Sequence, residues 1–302
     1  GSANTQAMTS GGDQNLDALR GPAQEGPVQV LAPARRRTPF IFASPHSGRA
    51  YEPSFLKACL PPLTVLRRSE DAHVDALFAD APRLGAPLIC ATFPRVFVDP
   101  NRARDELDPA MFEPDAGLAA QAMTARAGAG LGVIPRLAAD GRSLYARPLG
   151  AGELRRRLTA YYDPYHARLS QEVEAVRQTW GEAVLIDCHS MPAASARGAD
   201  IVLGDRYGAS CSRALVARAE AHFRDLGFAV VRNRPYAGGY TTEHYGRPET
   251  GVEALQIEIN RGLYLSEATV EPASGLAPLR RAMAEWIELM IGHLRPERVA
   301  AE

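Results

Sequence analysis

The feature that most constrains this chain is a succession of short apolar runs without polar alternation, separated by stretches with helical spacing. The runs are Phe40-Ile41-Phe42-Ala43-Ser44, residues 87–93, Val96-Phe97-Val98, residues 183–188, Ile201-Val202-Leu203, Phe228-Ala229-Val230-Val231 and residues 254–259. Runs of this length that stay apolar at consecutive positions read as strands buried on both faces. Between them, residues 65–84 place Val74, Leu77 and Phe78 at helical spacing. Helices are also expected over 153–180, with a break near Asp163-Pro164, and over 211–226 and 276–294. Strands alternating with helices predict an α/β, three-layer α/β/α fold with a mostly parallel central sheet. No internal repeat or boundary divides the chain, so one domain is expected over 27–302. Residues 1–26 are rich in Gly, Ser, Gln, Asn and Ala and open on Gly-Ser, which reads as a disordered tag or tail.

Composition removes several function classes. The 302 residues are 46% hydrophobic and carry a formal net charge of −1, so no global field attracts nucleic acid or an anionic membrane. No apolar run reaches the ~18 residues of a membrane helix, and the chain reads as cytoplasmic. Cys59, Cys90, Cys188 and Cys211 are widely spaced, which suits neither a disulfide framework nor a thiolate metal site. Cys90 and Cys188 lie inside strand-like runs, where buried thiols are expected.

Polar residues gather just beyond the apolar runs, where open α/β sheets place their ligands. His46 follows the first strand and His189 the run 183–188. Two imidazoles and one carboxylate suit a hydrolytic zinc site, and the carboxylate is available at Glu70 or Asp71 after the first strand. Arg95, Asn101 and Arg102 sit in one loop region. Guanidinium groups there suit both a substrate carboxylate and a developing oxyanion. Glu258 shares a strand face with Gln256, opposite Ile257 and Ile259, and is a candidate general base. The segment 238–246, glycine at both ends, offers Tyr240, Thr242 and His244 as pocket-lining groups. Residues 103–150, rich in Gly, Pro and Ala, interrupt the alternation as a long excursion of the kind that carries function.

Six segments, in order, resemble the N-formylglutamate amidohydrolase family. They are Ser44-Pro45-His46-Ser47-Gly48, residues 71–77, residues 95–102, Asp187-Cys188-His189-Ser190-Met191, residues 238–246, and Ala254-Leu255-Gln256-Ile257-Glu258. The resemblance implies a zinc-carboxypeptidase-like fold, a mixed eight-stranded sheet between helices, related to that of aspartoacylases. It also implies one Zn2+ per chain, held by His46, His189 and a carboxylate. Carboxypeptidases take that carboxylate from an H-x-x-E pattern, but here Arg49 stands three positions after His46. Asp71 is therefore the expected ligand, because its segment matches the family, with Glu70 in reserve. Glu258 takes the place of the catalytic glutamate and Arg95 that of a carbonyl-polarising arginine, while Asn101 and Arg102 resemble a substrate-carboxylate grip. Many members carry leucine where this chain has Pro100, a change that stiffens the loop without removing a polar side chain. The implied substrate is a small N-acyl amino acid, N-formyl-glutamate first, with neither nucleic acid nor membrane as partner. A different N-acyl amino acid or a small peptide is the alternative substrate, and a non-catalytic binding module the alternative class.

Overall fold

The computed structural model describes residues 26–116 and 124–292. The expected disordered tail lies outside these residues except for Gly26, as do the last two positions of the helix expected over 276–294. Seven strands form the main sheet: β1 (Val28–Leu31), β2 (Phe40–Ser44), β3 (Leu88–Ala91), β4 (Ala183–Met191), β5 (Ile201–Gly204), β6 (Val230–Arg232) and β7 (Val252–Asn260). Their order is β1-β3-β2-β4-β7-β5-β6. β3, β2, β4 and β7 run parallel to one another; β1 pairs antiparallel with β3, and β5 antiparallel with β7. The sheet is thus mixed and mostly parallel, with seven strands among the described residues where the resemblance implied eight.

Alternation along the strands sends side chains into two cores, one on each face. Phe40, Phe42, Leu88, Ile186, Cys188, Leu255 and Ile257 face one side. There they meet Leu215, Ala219 and Phe223 of the helix Arg213–Asp225, and Met283, Trp286 and Ile287 of the helix Leu276–Gly292. Trp286 stacks on Phe223 at 4.5 Å between ring centroids and donates its indole N–H to the Ala219 carbonyl. Ile41, Ala43, Ile89, Leu185 and Ala254 face the other side, against Tyr165, Leu169, Val173 and Val176 of the helix Asp163–Trp180. That helix buries one stripe at near-helical period and ends on Gly181, whose φ of 79° an L side chain rarely adopts.

Three expectations change. Val96-Phe97-Val98 is a turn and not a strand: Phe97 N–H donates to the Pro94 carbonyl, and the three side chains fill the second core without pairing to the sheet. Residues 65–84 do not form one helix. They break into the helix Leu63–Leu66, a 3-10 turn Arg67–Ser69 and the helix Val74–Leu77. The break has a cause, because Glu70 is extended, with φ −67° and ψ 146°, and the Asp71 N–H donates to the His46 carbonyl at 2.9 Å, which a continuous helix would forbid. Finally, the break near Asp163-Pro164 takes the form of a π-helical turn, Leu158–Tyr162, through which the helix continues. Cys90, Cys188 and Cys211 are buried free thiols and Cys59 is half-buried. Among the described residues no helix is long and apolar enough to cross a membrane.

Candidate active site

The strand register places the polar groups together. β4 and β7 pair so that Asp187 stands opposite Gln256 and His189 opposite Glu258, all four on the face of the second core. Toward the carboxyl ends of these parallel strands that face turns from Leu185 and Ala254 to charged and polar groups, and a cavity of about 650 Å³ opens above it. β4 runs on to Met191, so His189 lies within the strand and not after it. From β2, His46 enters the same floor, on a loop held closely against the next one: Ala50 N–H donates to the Thr92 carbonyl at 2.9 Å. A Cβ on Gly48 would sit 2.2 Å from the Phe93 carbonyl oxygen, so only glycine permits this approach.

Each imidazole is oriented by an outer carboxylate. His46 donates Nε2–H to Asp99 Oδ1 at 2.6 Å, and His189 donates Nε2–H to Asp187 Oδ2 at 2.8 Å. An ionised carboxylate only accepts, so these bonds fix the Nε2 protons and turn both Nδ1 atoms inward. There Asp71 Oδ2 lies 2.9 Å from His189 Nδ1 and 3.4 Å from His46 Nδ1, while Oδ1 is held by Arg261 Nη2 at 2.8 Å. His46 Nδ1 is buried with no hydrogen-bond partner. The ligand atoms of His46, Asp71 and His189 all lie within 4.8 Å of one another. Two imidazole nitrogens and a carboxylate oxygen, oriented from behind and converging, fit the three-ligand donor set of hydrolytic zinc.

Of the two carboxylates the sequence left open, Asp71 is the one in the cluster. Glu70 points elsewhere, accepting from the Tyr51 hydroxyl at 2.8 Å and facing Arg67 at 3.4 Å. The electrostatics agree with a preformed cluster. Burial works against the charged form of Asp71, but the hydrogen bond to His189 and the nearby His46 ring outweigh it and hold its carboxyl well below the usual carboxylate range. For Asp99, burial is likewise outweighed, here by His46 and Arg95. His189 is raised well above an ordinary imidazole, since Asp187 and Asp71 overcome the burial cost of its cation. Glu258 behaves oppositely: burial pushes it up to about 7, against the pull of His189 and Arg95. Two kinds of carboxylate therefore share one floor, one kept ionised and one poised near neutrality.

Arg95 and Arg102 both line the cavity. Arg95 Nη2 donates to Asp99 Oδ2 at 3.2 Å, and Nη1 lies 3.7 Å from Asp71 Oδ1. Arg102 spends Nε on the Leu131 carbonyl at 3.0 Å and stands 3.8 Å from Asp99, and its terminal nitrogens make no hydrogen bond among the described residues. The loop between them is braced by the π-helical turn and the helix after it, through Tyr162 hydroxyl to the Arg102 carbonyl and His166 Nε2 to the Pro100 carbonyl, both 2.8 Å. Asn101 accepts from Thr241 N–H at 2.8 Å, and a Cβ on Gly239 would come within 2.4 Å of its Nδ2. That Nδ2 lies 3.3 Å from His189 Nε2, which already carries its own proton, so the amide has no acceptor there and keeps a donor for the cavity.

The glycine-bounded segment is drawn differently from the sequence expectation. Residues Tyr240–Tyr245 are a short helix. Gly238 and Gly239 line the cavity, and Tyr240, Thr242 and His244 do not. Thr242 donates its hydroxyl to the Gly239 carbonyl, and Tyr240 bonds His244, packing with it against His166. The reason is the helix itself, which turns these side chains back on the loop and on one another.

Asp99, Asp187 and Arg261 were assigned no part from sequence. Asp187 had a legible signal, because i and i+2 of one strand share a face, so a carboxylate two residues before a strand-end histidine can reach its ring. Arg261 had none; it meets Asp71 across 190 residues of chain.

The N-formylglutamate amidohydrolase family model matches residues 38–265. N-formylglutamate deformylase of Pseudomonas aeruginosa is 32% identical over 247 residues, which cover 79% of this chain and 86% of that protein. The Pseudomonas putida protein of the same name is 29% identical over the same shares. The crystal structure of N-formylglutamate amidohydrolase from Ralstonia eutropha JMP134 superposes with a TM-score of 0.84 at 36% identity, covering 89% of this chain and 99% of that one. The chain therefore belongs to the N-formylglutamate amidohydrolase family and is a hydrolase of an amide bond.

Proposed function

We propose that this chain removes the formyl group from N-formyl-glutamate by zinc-dependent hydrolysis. The observation that carries the reading is the convergence of two oriented Nδ1 atoms on one Asp71 oxygen beside a carboxyl poised near neutrality. The names of the relatives supply the acyl group and the amino acid. One zinc ion would be held by His46, Asp71 and His189. When bound, zinc supplies Lewis acidity, lowering the pKa of water and polarising a carbonyl.

The protein's own residues do the rest. Glu258 accepts the proton of the attacking water as its oxygen bonds the formyl carbon. Arg95, close enough to Glu258 for their charges to interact, donates to the developing oxyanion, a role worth about 3 kcal/mol for one donor. Glu258 then passes its proton to the amide nitrogen as the C–N bond breaks, leaving formate and glutamate. Arg102 and the Asn101 amide hold the substrate α-carboxylate, which positions the formyl group over the floor. Formate release from N-formyl-L-glutamate by zinc-reconstituted protein tests the reading, with N-acetyl-glutamate and small peptides in parallel. The reading requires formate release that a chelator abolishes and zinc restores. Turnover of the other substrates alone contradicts it.

A further inference from the structure

The excursion 103–150 holds the cavity's least satisfied charge. Five arginines line the cavity, Arg68, Arg95, Arg102, Arg126 and Arg261, against the carboxylates Asp99 and Glu258. Arg95 and Arg261 are tied to Asp71 and Asp99, and Arg68 donates to the Ala268 carbonyl. Arg126 has no hydrogen bond or ion pair from its side chain among the described residues; the nearby Glu106 carboxylate accepts instead from the Thr124 hydroxyl at 2.8 Å.

The backbone that carries Arg126 is nonetheless firmly placed. Its carbonyl accepts from Leu131 N–H at 2.9 Å, and the Leu131 carbonyl accepts from Arg102 Nε at 3.0 Å, so both arginines hang on one residue. The turn that carries them lies along the Asp99 loop: Val133 N–H donates to the Glu106 carbonyl and Asp99 N–H to the Val133 carbonyl, each at 2.8 Å. A Cβ on Gly132 would meet the Glu106 carbonyl oxygen at 2.4 Å, so the turn sits hard against that loop. The charge of Arg126 is felt at Arg102, whose guanidinium is pushed down by burial first; Asp99 and Glu106 pull it back up, while Arg95 and Arg126 add to the fall. Two guanidinium groups that line one cavity and are linked through Leu131 repel each other, and an anion bound by both relieves that repulsion. A substrate with one carboxylate, bound by Arg102, leaves Arg126 unmatched.

We infer that Arg126 is the specificity-determining residue for a second carboxylate, so that the cavity selects N-acyl derivatives of acidic amino acids, with Arg102 on the α-carboxylate and Arg126 on the side-chain carboxylate. The inference rests on the reading that N-formyl amino acids are hydrolysed here, and deepens it. Glutamine is the informative comparison, because its amide keeps the shape of the glutamate side chain and loses only the charge.

The test compares kcat/KM for N-formyl-L-glutamate and N-formyl-L-glutamine in the parent, Arg126→Gln and Arg68→Gln proteins. The parent should favour the glutamate substrate by about tenfold or more, the low end for a hydrogen bond to a charged group. Arg126→Gln should collapse that ratio toward one through loss on the glutamate substrate, and Arg68→Gln should keep it. A ratio that survives Arg126→Gln, or that collapses in Arg68→Gln instead, overturns the inference while formyl amino acid hydrolysis stands. If neither substrate is turned over, the proposed function fails. Calorimetric binding of glutarate against its monoamide then decides the Arg126 question by itself: glutarate must bind the parent more tightly and lose that advantage in Arg126→Gln. Equal binding of the two, or an advantage untouched by the substitution, refutes it.

Discussion

The floor of the cavity and its wall are built differently. The floor is carried by β2, β4 and β7 together with the segment at Asp71, and its buried side chains are cross-bonded: His46 to Asp99, His189 to Asp187 and Asp71, Asp71 to Arg261. The wall is carried by loops, from Arg95 to Arg102, from Thr124 to Ala139 and from Asn233 to Gly239, and its outer arginines are half-buried or exposed. Groups that must hold a metal and move a proton need tight placement, which strands and outer-shell bonds provide. Groups that choose among substrates can sit on loops that vary without disturbing the sheet. The contrast predicts that changes in the floor, and at Arg95 and Asp99 where the wall reaches into it, strike turnover or metal content, and changes in the rest of the wall strike substrate affinity.

The largest expected effect is at Glu258. Glu258→Gln should keep zinc and substrate affinity and lower kcat by at least ~100- to 10,000-fold, the range for a lost general base. Near-normal turnover would remove Glu258 from the chemistry and break the division at its centre. Next come the orienting carboxylates. Asp187→Asn and Asp99→Asn should each weaken zinc binding ~10- to 100-fold, measured by competition with a chromophoric chelator. Asp71→Asn should weaken it more, and Glu70→Gln should leave it near the parent value. A reversed order for Glu70 and Asp71 would mean that the carboxylate facing the two Nδ1 atoms is not a ligand.

The wall should respond through KM. Arg102→Lys replaces a planar fork by a point charge, and KM for N-formyl-glutamate should rise about tenfold with kcat little changed. An equal fall in kcat would show that this arginine belongs with the floor. The smallest effect is expected at Tyr162, whose hydroxyl braces the Arg102 carbonyl at 2.8 Å. Tyr162→Phe removes a hydrogen bond worth ~1 kcal/mol, so KM should rise a few-fold. A change confined to kcat would place the brace on the wrong side of the comparison.

The same contrast explains what the sequence made legible. The strands β2, β4 and β7 stood out because burial on both faces leaves a continuous apolar run, and His46, His189 and Glu258 were legible as candidates because polar groups at such runs' ends are conspicuous. The β1 edge strand was missed, since its half-buried Val-Gln-Val-Leu lacks that signature. Val96-Phe97-Val98 misled for the converse reason: it is apolar enough for a strand, but a turn buries the same three side chains. The 238–246 segment was legible as a close approach, through Gly239 against Asn101, but not as a helix that turns Tyr240, Thr242 and His244 away from the cavity. The excursion was least legible. Arg126 and Arg102 are joined through the backbone of Leu131, and such a link leaves no periodic trace in the residues themselves.

The central claim is that His46, Asp71 and His189 form a zinc site preassembled by the strands, and zinc content measures it directly. Parent protein loaded with zinc and dialysed should retain one zinc per chain by elemental analysis. His189→Ala, with its fold checked by circular dichroism, should retain almost none. Full zinc occupancy in the folded His189→Ala protein would contradict the account.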